Sequence, residues 1–402
     1  MPLRLQKHPP RGSGTQETRV GITPFSIQIP KETLDDLRAR LTRTRFPDQL
    51  EGAAWEYGTE LDYLKRLCAY WQSDFDWRAR ERKLNELDQY TVPIDGLNIH
   101  TIHVRSSHEH ALPLILTHGW PGSIAEFTKV IGPLTQPEAH GGDPADAFHV
   151  VCPSLPGYGF SDAPTAPGFD IKRIAETNVK LMDALGYTRY GAQGGDWGSL
   201  STSWMAALDP EHVCGIHLNM VLARRPKEGD PLEGLSEEEL NRLQDARRFM
   251  KEETGYQQVQ GTKPQSLGYG LNDSPAGLAA WIVEKFRRWS DRGNESDPPF
   301  TMDELLTNIT IYWVTGSITS SMRLYYETMK SGRFFGPPEA GIKVPTAFAV
   351  FPGELTRLPR AWAAKEYNIV RWTEMPSGGH FAAMEEPGLL VDDVRAFFRE
   401  LR

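Results

Sequence analysis

The chain has 402 residues and a formal net charge of −9, with 39% hydrophobic and 24% charged residues. This length allows two or three compact units, and the ordinary composition excludes a disordered, collagen-like or membrane-embedded protein. The negative charge argues against a nucleic-acid partner, because phosphate binding depends on clustered lysine and arginine. The three cysteines, Cys68, Cys152 and Cys214, form no Cys-x-x-Cys pair, so we expect neither a disulfide framework nor a zinc site.

The N-terminal part divides into a tail and an α-rich segment. Residues 1–20 are basic and contain no apolar run of the length that a signal peptide or a membrane span requires. We interpret them as a mobile tail, and the protein as cytoplasmic with no membrane anchor. Residues 21–89 form the N-terminal extension, where Phe25, Ile27 and Ile29 alternate like a short strand. Helical patterns rich in aromatic residues follow, and these side chains must pack against a larger body.

The rest of the chain predicts an α/β fold that is interrupted once. Residues 90–221 alternate short β-like runs with helical patterns, which favours a mostly parallel central sheet flanked by helices. In residues 222–343 the β signal gives way to helical, aromatic-rich segments, which we interpret as an inserted helical lid. Strand-like runs return in residues 344–402, and an amphipathic helix closes the chain. We find no internal repeats.

Residues 194–198, Gly-Gly-Asp-Trp-Gly, occupy a predicted turn between a strand and a helix. A nucleophile elbow holds its reactive side chain in such a strained turn, where small neighbours are needed. The alternative is an ordinary glycine-rich turn in which Asp196 caps the helix. A carboxylate nucleophile suits displacement at saturated carbon, because the ester it forms has a carbonyl that water can hydrolyse. Asp196 therefore indicates epoxide opening or dehalogenation.

Residues 118–122, His-Gly-Trp-Pro-Gly, directly follow the apolar run Leu-Pro-Leu-Ile-Leu-Thr. In a hydrolase built around an elbow, the loop after this strand supplies one oxyanion-hole donor and the residue after the nucleophile supplies the other. We predict that these donors are the backbone N–H groups of Trp120 and Trp197. The alternative is a tight turn after a buried strand.

The general base and its acid are expected after the lid, in the order nucleophile, acid, histidine. His380 follows two glycines close after the last strand-like run, and we predict that it is the base. Glu354 stands just beyond the preceding apolar run, and a carboxylate there would fix the tautomer of the imidazole and stabilise the imidazolium. The alternatives are a structural histidine and a glutamate in a solvated loop.

Together these motifs resemble the microsomal-type epoxide hydrolases, with their soluble fungal and bacterial relatives and the insect juvenile-hormone enzymes. The matching stretches, from about Phe25 to the C terminus, are SDFDWR, HGWPG, PSLPGYGFSD, GGDWGS, GYQQVQGTKPQSLGYGLNDSPAGLAAWIVEKF, LYYE, FPGEL and GGHFAAMEEP. The resemblance implies an α/β-hydrolase fold and hydrolysis of an epoxide to a vicinal diol. It implies no cofactor and no metal, and it leaves a homodimer open.

The resemblance also implies two lid tyrosines that hydrogen-bond the epoxide oxygen as the ring opens. Tyr256, in Gly-Tyr-Gln-Gln, matches the first tyrosine of the family pattern. Tyr325 matches the second, although Tyr326 replaces the usual basic residue, so a frame shifted by one residue would exchange the two. The expected substrate is an aryl or alkyl epoxide similar to styrene oxide. The expected biological role is detoxification or antibiotic biosynthesis.

Two other functions remain open from the sequence. A haloalkane dehalogenase also uses an aspartate nucleophile, and the indole N–H of Trp197 could bind its halide. Trp120 stands where such enzymes usually carry a side-chain halide donor, however, and paired lid tyrosines suit an alkoxide. A non-catalytic ligand-binding protein on the same fold is the second alternative, although the catalytic triad and both tyrosines are present.

Overall fold

The computed structural model describes residues 21–291, 297–334 and 336–402. The predicted mobile tail, residues 1–20, lies outside the described residues. Within them, one sheet of nine strands forms the centre of the protein. In chain order, β1 to β9 are Thr23–Pro24, Gln89–Ile94, Leu97–Val104, Leu112–Thr117, Phe148–Pro153, Tyr190–Gly194, Val213–Leu218, Ile342–Val350 and Tyr367–Glu374.

The strand order across the sheet is β1-β2-β3-β5-β4-β6-β7-β8-β9. The pairs β1–β2, β2–β3 and β3–β5 are antiparallel. Every pair from β5 through β4, β6, β7 and β8 to β9 is parallel. This mostly parallel sheet confirms the predicted α/β class, and parallel pairing brings the carboxyl ends of β4, β6 and β8 to one edge.

Helices cover the sheet and make up the inserted segment. In chain order, α1 to α15 are Lys31–Thr42, Leu61–Ser73, Trp77–Leu84, Ile131–Thr135, Ile171–Ala184, Trp197–Leu208, Glu237–Glu252, Gly255–Thr262, Pro264–Leu271, Pro275–Arg288, Met302–Thr315, Ile318–Lys330, Arg360–Ala363, Ala382–Glu385 and Pro387–Arg399. Short 3-10 helices span Ile124–Lys129, Pro137–His140 and Pro144–Asp146. Helices α7 to α12 lie between β7 and β8, within the predicted lid. In the described ranges, none of the helices has the length and apolar character needed to cross a bilayer.

The strand predicted around Ile27 and Ile29 is wrong, because the strand at this end is Thr23–Pro24. Both isoleucines are buried as the alternation indicated. Their backbone N–H groups, however, are bonded to side chains of the α3 region. Asn85 Oδ1 accepts from Ile27 at 2.8 Å, and Glu81 Oε1 accepts from Ile29 at 2.7 Å. Polar side chains therefore satisfy this extended backbone in place of a neighbouring strand.

The N-terminal extension packs against the lid. Its aromatic side chains, including Trp71 and Trp77, are buried in the same hydrophobic cluster as residues of α10 and α11, which confirms that they pack on a larger body. Asp303 at the start of α11 accepts hydrogen bonds from Arg80 at 2.8 Å and from Tyr70 at 3.1 Å. The extension therefore contacts the lid helices α10 and α11 through both apolar and polar side chains.

A buried polar cluster joins the C-terminal helix to the sheet. Asp393 of α15 accepts hydrogen bonds from His217 at 3.0 Å, Arg371 at 2.8 Å and Thr373 at 2.8 Å. Burial opposes ionisation of this carboxyl, but these donors hold the pKa of Asp393 well below its usual value. The cluster therefore ties α15 to β7 and β9 through a charged group that must be paired.

Candidate active site

Asp196 lies at the sharp turn between β6 and α6. Its backbone has φ 50° and ψ −128°, a conformation that costs energy for a residue with a Cβ atom. The neighbouring glycines make the turn possible. A Cβ atom at Gly198 would overlap the carbonyl oxygen of Thr117, and one at Gly194 would overlap the backbone of Gly198. The Asp196 side chain makes no capping hydrogen bond to α6, so the structure has the geometry of an elbow and does not fit the helix-cap alternative.

The loop after β4 places a backbone donor on the Asp196 carboxylate. The N–H of Trp120 donates to Asp196 Oδ1 at 2.8 Å. Gly119 must be glycine here, because a Cβ atom at this position would overlap Asp196 Oδ1. The amide of Trp197, the second predicted donor, directly follows Asp196 at the start of α6, and its participation stays a prediction.

His118 holds this loop in place, a role that the sequence did not assign. Its Nδ1 lies 3.0 Å from the carbonyl oxygen of Gly119, and its Nε2 accepts from the N–H of Leu155 at 3.3 Å. Burial lowers the pKa of His118 to about 4, so the ring is neutral at neutral pH and can donate through Nδ1 while it accepts through Nε2. The imidazole therefore links the turn after β4 to the turn after β5.

His380 lies between the two carboxylates that the sequence predicted for it. Its Nε2 is 3.3 Å from Asp196 Oδ2, and its Nδ1 is 2.7 Å from Glu354 Oε1. Burial alone would lower the pKa of His380, but the charges and hydrogen bonds of Glu354 and Asp196 raise it well above its usual value. The three residues, which are widely separated in sequence, meet at the carboxyl edge of the sheet with His380 between the two carboxylates.

The end of the lid helix α10 supports the turn that carries His380. The N–H of His380 donates to the carbonyl oxygen of Trp289 at 3.0 Å, and the N–H of Gly378 donates to Asp291 Oδ2 at 3.0 Å. A Cβ atom at Gly379 would lie 2.6 Å from the backbone nitrogen of Asp291. Gly379 is thus explained by the close approach of the lid segment, whereas Gly378 is explained by its positive φ of 103° and by the close side chains of Phe351 and Glu386.

Both lid tyrosines predicted from the resemblance lie beside the elbow. Tyr256 stacks on the ring of Trp120 with centroids 5.3 Å apart, and Tyr325 meets the ring of Trp197 edge to face at 4.7 Å. The centroids of the two tyrosines are 5.9 Å apart. Tyr326, by contrast, is half-buried with Lys330 over its ring at 5.6 Å. The structure therefore brings Tyr325, and not Tyr326, to the site.

The phenols of both tyrosines are neutral at ordinary pH. Burial raises the pKa of Tyr256 above its usual value, and the charge of Asp196 raises it further. Burial and the neighbouring Tyr256 and Asp196 raise the pKa of Tyr325 in the same direction. Each hydroxyl group therefore keeps its proton and can act as a hydrogen-bond donor.

A largely apolar pocket, the substrate pocket, lies on the tyrosine side of Asp196. Its volume is about 90 Å³. Its polar groups include the two tyrosines, and its apolar wall comes from Trp197, Leu200, Met220, Leu222, Phe249, Met250, Phe334 and Leu355. In the described part of the chain, no group of three His, Cys, Asp or Glu side chains could hold a metal ion.

Two family models match parts of the chain, and a curated protein matches nearly all of it. Residues 22–127 match the family model described as epoxide hydrolase N terminus, and residues 113–299 match the α/β hydrolase fold. Epoxide hydrolase 1 of Sus scrofa is 41% identical over 402 residues, which covers 94% of this chain and 88% of that protein.

Two solved structures resemble the whole chain. The juvenile hormone epoxide hydrolase of the silkworm Bombyx mori is 34% identical with a TM-score of 0.87, and the match covers 95% of each chain. The epoxide hydrolase of Aspergillus niger is 34% identical with a TM-score of 0.85, over 96% of this chain and 97% of that one. With this identity over nearly the full length, the chain belongs to the epoxide hydrolases of the α/β-hydrolase fold.

Proposed function

We propose that this enzyme converts an epoxide to a vicinal diol in two chemical steps, through an ester on Asp196. The observation that carries the proposal is the position of the Asp196 carboxylate. One oxygen accepts the N–H of Trp120 at 2.8 Å, and the other faces His380 Nε2 at 3.3 Å. A carboxylate that accepts a backbone N–H and lies beside a base can first be alkylated, and the ester that results can then be hydrolysed.

In the first step, a carboxylate oxygen of Asp196 attacks one epoxide carbon. A C–O bond of the ring breaks, and the electron pair stays on the epoxide oxygen. The hydroxyl groups of Tyr256 and Tyr325 donate hydrogen bonds to this oxygen, where negative charge develops. Because both phenols are neutral, they are available as donors before the reaction begins. The alkoxide takes up the proton that His380 releases once the negative charge of Asp196 is gone, so the product is a hydroxy ester on Asp196 beside a neutral His380.

In the second step, water attacks the carbonyl carbon of the Asp196 ester. His380 Nε2 takes the proton of the attacking water, and the N–H of Trp120 stabilises the oxyanion of the tetrahedral intermediate. The bond between the carbonyl carbon and the ester oxygen then breaks, and this oxygen leaves with the diol and receives a proton from His380. The proton that remains on the Asp196 carboxyl group passes to His380, which restores the carboxylate and the imidazolium of the free enzyme. Glu354 holds Nδ1 of the imidazole at 2.7 Å and stabilises the cation that forms.

The first step itself prepares His380 for the second. In the free enzyme, Asp196 and Glu354 together hold the pKa of His380 high, so the ring is cationic beside the nucleophile. Formation of the ester removes the negative charge of Asp196, and the pKa of His380 falls because one of its two anionic partners is lost. His380 therefore becomes a base when the intermediate that needs a base has formed.

The substrate pocket favours an aryl or alkyl epoxide similar to styrene oxide. Its wall is formed mostly by aliphatic, aromatic and methionine side chains, which gain free energy by covering apolar surface of the ligand. The cytoplasmic location, the homodimer and a role in detoxification or antibiotic biosynthesis stay predictions from the sequence.

The proposal is tested with the His380→Gln variant and styrene oxide. Loss of the base blocks ester hydrolysis, so intact mass should increase by one substrate, and peptide mapping should place the adduct on the peptide containing Asp196. An Asp196→Asn variant is the matched control and should form no adduct. Turnover by the wild type without any adduct on His380→Gln would contradict the covalent route. If the wild type left epoxides unchanged and released halide from haloalkanes, the enzyme would be a dehalogenase.

A further inference from the structure

A second, smaller pocket meets the substrate pocket at Asp196. This pocket, which we call the water pocket, is lined by both polar and apolar residues, and its polar side chains include Glu126, Gln193, Asp196, Asn219 and His380. His380 lines this pocket, whereas the two tyrosines line the substrate pocket. The two pockets therefore separate the groups needed for ester hydrolysis from the groups needed for ring opening.

The water pocket has the size and polarity to hold water. Its volume is about 20 Å³, and roughly 10–15 Å³ is enough for one water molecule that has two to four polar partners. Among its walls are the carboxylate that becomes the ester and the imidazole that takes the proton. A water molecule in this pocket is therefore next to both of its reaction partners in the second step.

Glu126 is an acidic residue of the water pocket that the steps described above do not use. It lies in the 3-10 helix Ile124–Lys129, and its carboxyl group folds back over the turn after β4. A Cβ atom at Gly122 would overlap Glu126 Oε1. The glycine at this position thus leaves the space that the carboxyl group occupies.

The electrostatics of Glu126 agree with this location. Burial raises its pKa to about 8, the charge of His380 lowers it, and the charge of Asp196 raises it. The carboxyl group therefore lies close enough to both catalytic residues to respond to their charges. In either protonation state, its carbonyl oxygen can accept a hydrogen bond.

We propose that Glu126 binds the water molecule that hydrolyses the Asp196 ester. This inference rests on the covalent route and adds a third contact to the attacking water. One hydrogen of the water points to His380 Nε2, the other is accepted by a carboxyl oxygen of Glu126, and a lone pair then faces the carbonyl carbon of Asp196. Glu126 neither gains nor loses a proton overall, because His380 carries the transferred proton to the leaving diol.

The two half-reactions separate this role from a structural one. Single turnovers of styrene oxide, followed by rapid quench and intact mass, give the rate of ester formation and the rate of ester hydrolysis. In a Glu126→Leu variant, we expect hydrolysis to slow by about tenfold or more, while ester formation changes by less than about threefold. The ester should then accumulate during turnover. A Glu126→Gln variant keeps an acceptor oxygen, and should recover most of the hydrolysis rate.

Two further variants complete the test. Gly122→Ala displaces the Glu126 carboxyl group without removing it, and should also slow hydrolysis more than ester formation. The control is Glu304→Gln, because Glu304 pairs with Lys129 of the same 3-10 helix but does not line the water pocket. Its glutamine keeps the capping box of α11, and both rates should stay within about twofold of the wild type.

Specific outcomes would overturn the assignment of Glu126. Equal slowing of both half-reactions in Glu126→Leu, with the same pattern in Gly122→Ala, would show a structural role. A Glu126→Gln variant as slow as Glu126→Leu would exclude the hydrogen-bond role. If His380→Gln forms the adduct on Asp196 and Glu126→Leu hydrolyses its ester at the wild-type rate, the covalent route stands and the role of Glu126 fails.

Discussion

Replacement of Glu354 by glutamine removes the negative charge of the acid that orients His380 and keeps its hydrogen-bond geometry. Glu354 Oε1 accepts from His380 Nδ1 at 2.7 Å and from the backbone N–H of Leu355 at 2.6 Å. The Leu355 N–H fixes the orientation of the new amide, because only an oxygen can accept there. The same oxygen then still accepts from His380, so the Glu354→Gln variant keeps the tautomer and loses the negative charge.

The size of the effect follows from the charge that is removed. Two unit charges about 4 Å apart interact by about 4 kcal/mol at an effective dielectric constant of about 20. The amide dipole retains part of this stabilisation of the imidazolium, so about 2–4 kcal/mol is lost in the hydrolysis transition state. We therefore expect ester hydrolysis to slow by about 10²–10³-fold. Ester formation, which needs no base, should slow by less than about tenfold.

Single-turnover kinetics with styrene oxide measure both rates, and quenched samples show the ester by mass. The control is Glu374→Gln, since Glu374 also ends a neighbouring strand but pairs with Arg242 near the surface, and both of its rates should be nearly unchanged. Hydrolysis at the wild-type rate in Glu354→Gln would refute the assignment of Glu354 as the acid that stabilises His380.

Three further outcomes are expected from the geometry. Tyr325→Phe should slow ester formation by about 10–100-fold in the same single-turnover assay, because one hydrogen-bond donor to the alkoxide is lost, whereas Tyr326→Phe should not. Equal effects of the two substitutions would contradict the assignment of Tyr325 as the second lid tyrosine. Gly198→Ala should lower the free energy of unfolding in urea by about 3 kcal/mol, since its Cβ would overlap the Thr117 carbonyl; wild-type stability would contradict this close approach. Asp393→Asn should lower the free energy of unfolding by about 3 kcal/mol above pH 4, because the Asp393 carboxylate, whose pKa is lowered in the folded protein, is then ionised in both the folded and the unfolded state. The difference from the wild type should shrink as the pH falls further. A difference that does not depend on pH would refute the contribution of the charge.

The triad could be predicted because each member follows a local pattern. The glycines around Asp196 and before His380 reflect the close approach of neighbouring backbone and side-chain atoms, and the order of nucleophile, acid and histidine follows from the order of the strands. The tyrosines could not be derived in this way, because a buried tyrosine in a helix has the same sequence pattern whether it packs or binds substrate. Only the family resemblance identified Tyr256 and Tyr325.

The features that the sequence did not predict depend on contacts between segments that are distant along the chain. The strand predicted near Ile27 failed because side chains of the α3 region, and not a second strand, satisfy its backbone. The support of His380 by Trp289 and Asp291 joins the lid to the last part of the core, and no local pattern indicates it. Glu126 follows a glycine, Gly122, by four residues. This spacing indicates a role only once the structure shows that the Glu126 carboxyl group occupies the space beside Gly122.

On the proposed covalent route, the arrangement around Asp196 lets one carboxylate take part in two different reactions. Ring opening needs an anionic nucleophile and an apolar pocket with donors, which lie on the tyrosine side. Hydrolysis needs a polarised carbonyl, a base and water, which the water pocket and His380 supply on the other side. Because Asp196 forms part of both walls, its proposed change from anion to ester alters the charge that His380 experiences. On the proposed covalent route, the charge of Asp196 therefore determines when His380 can act as a base.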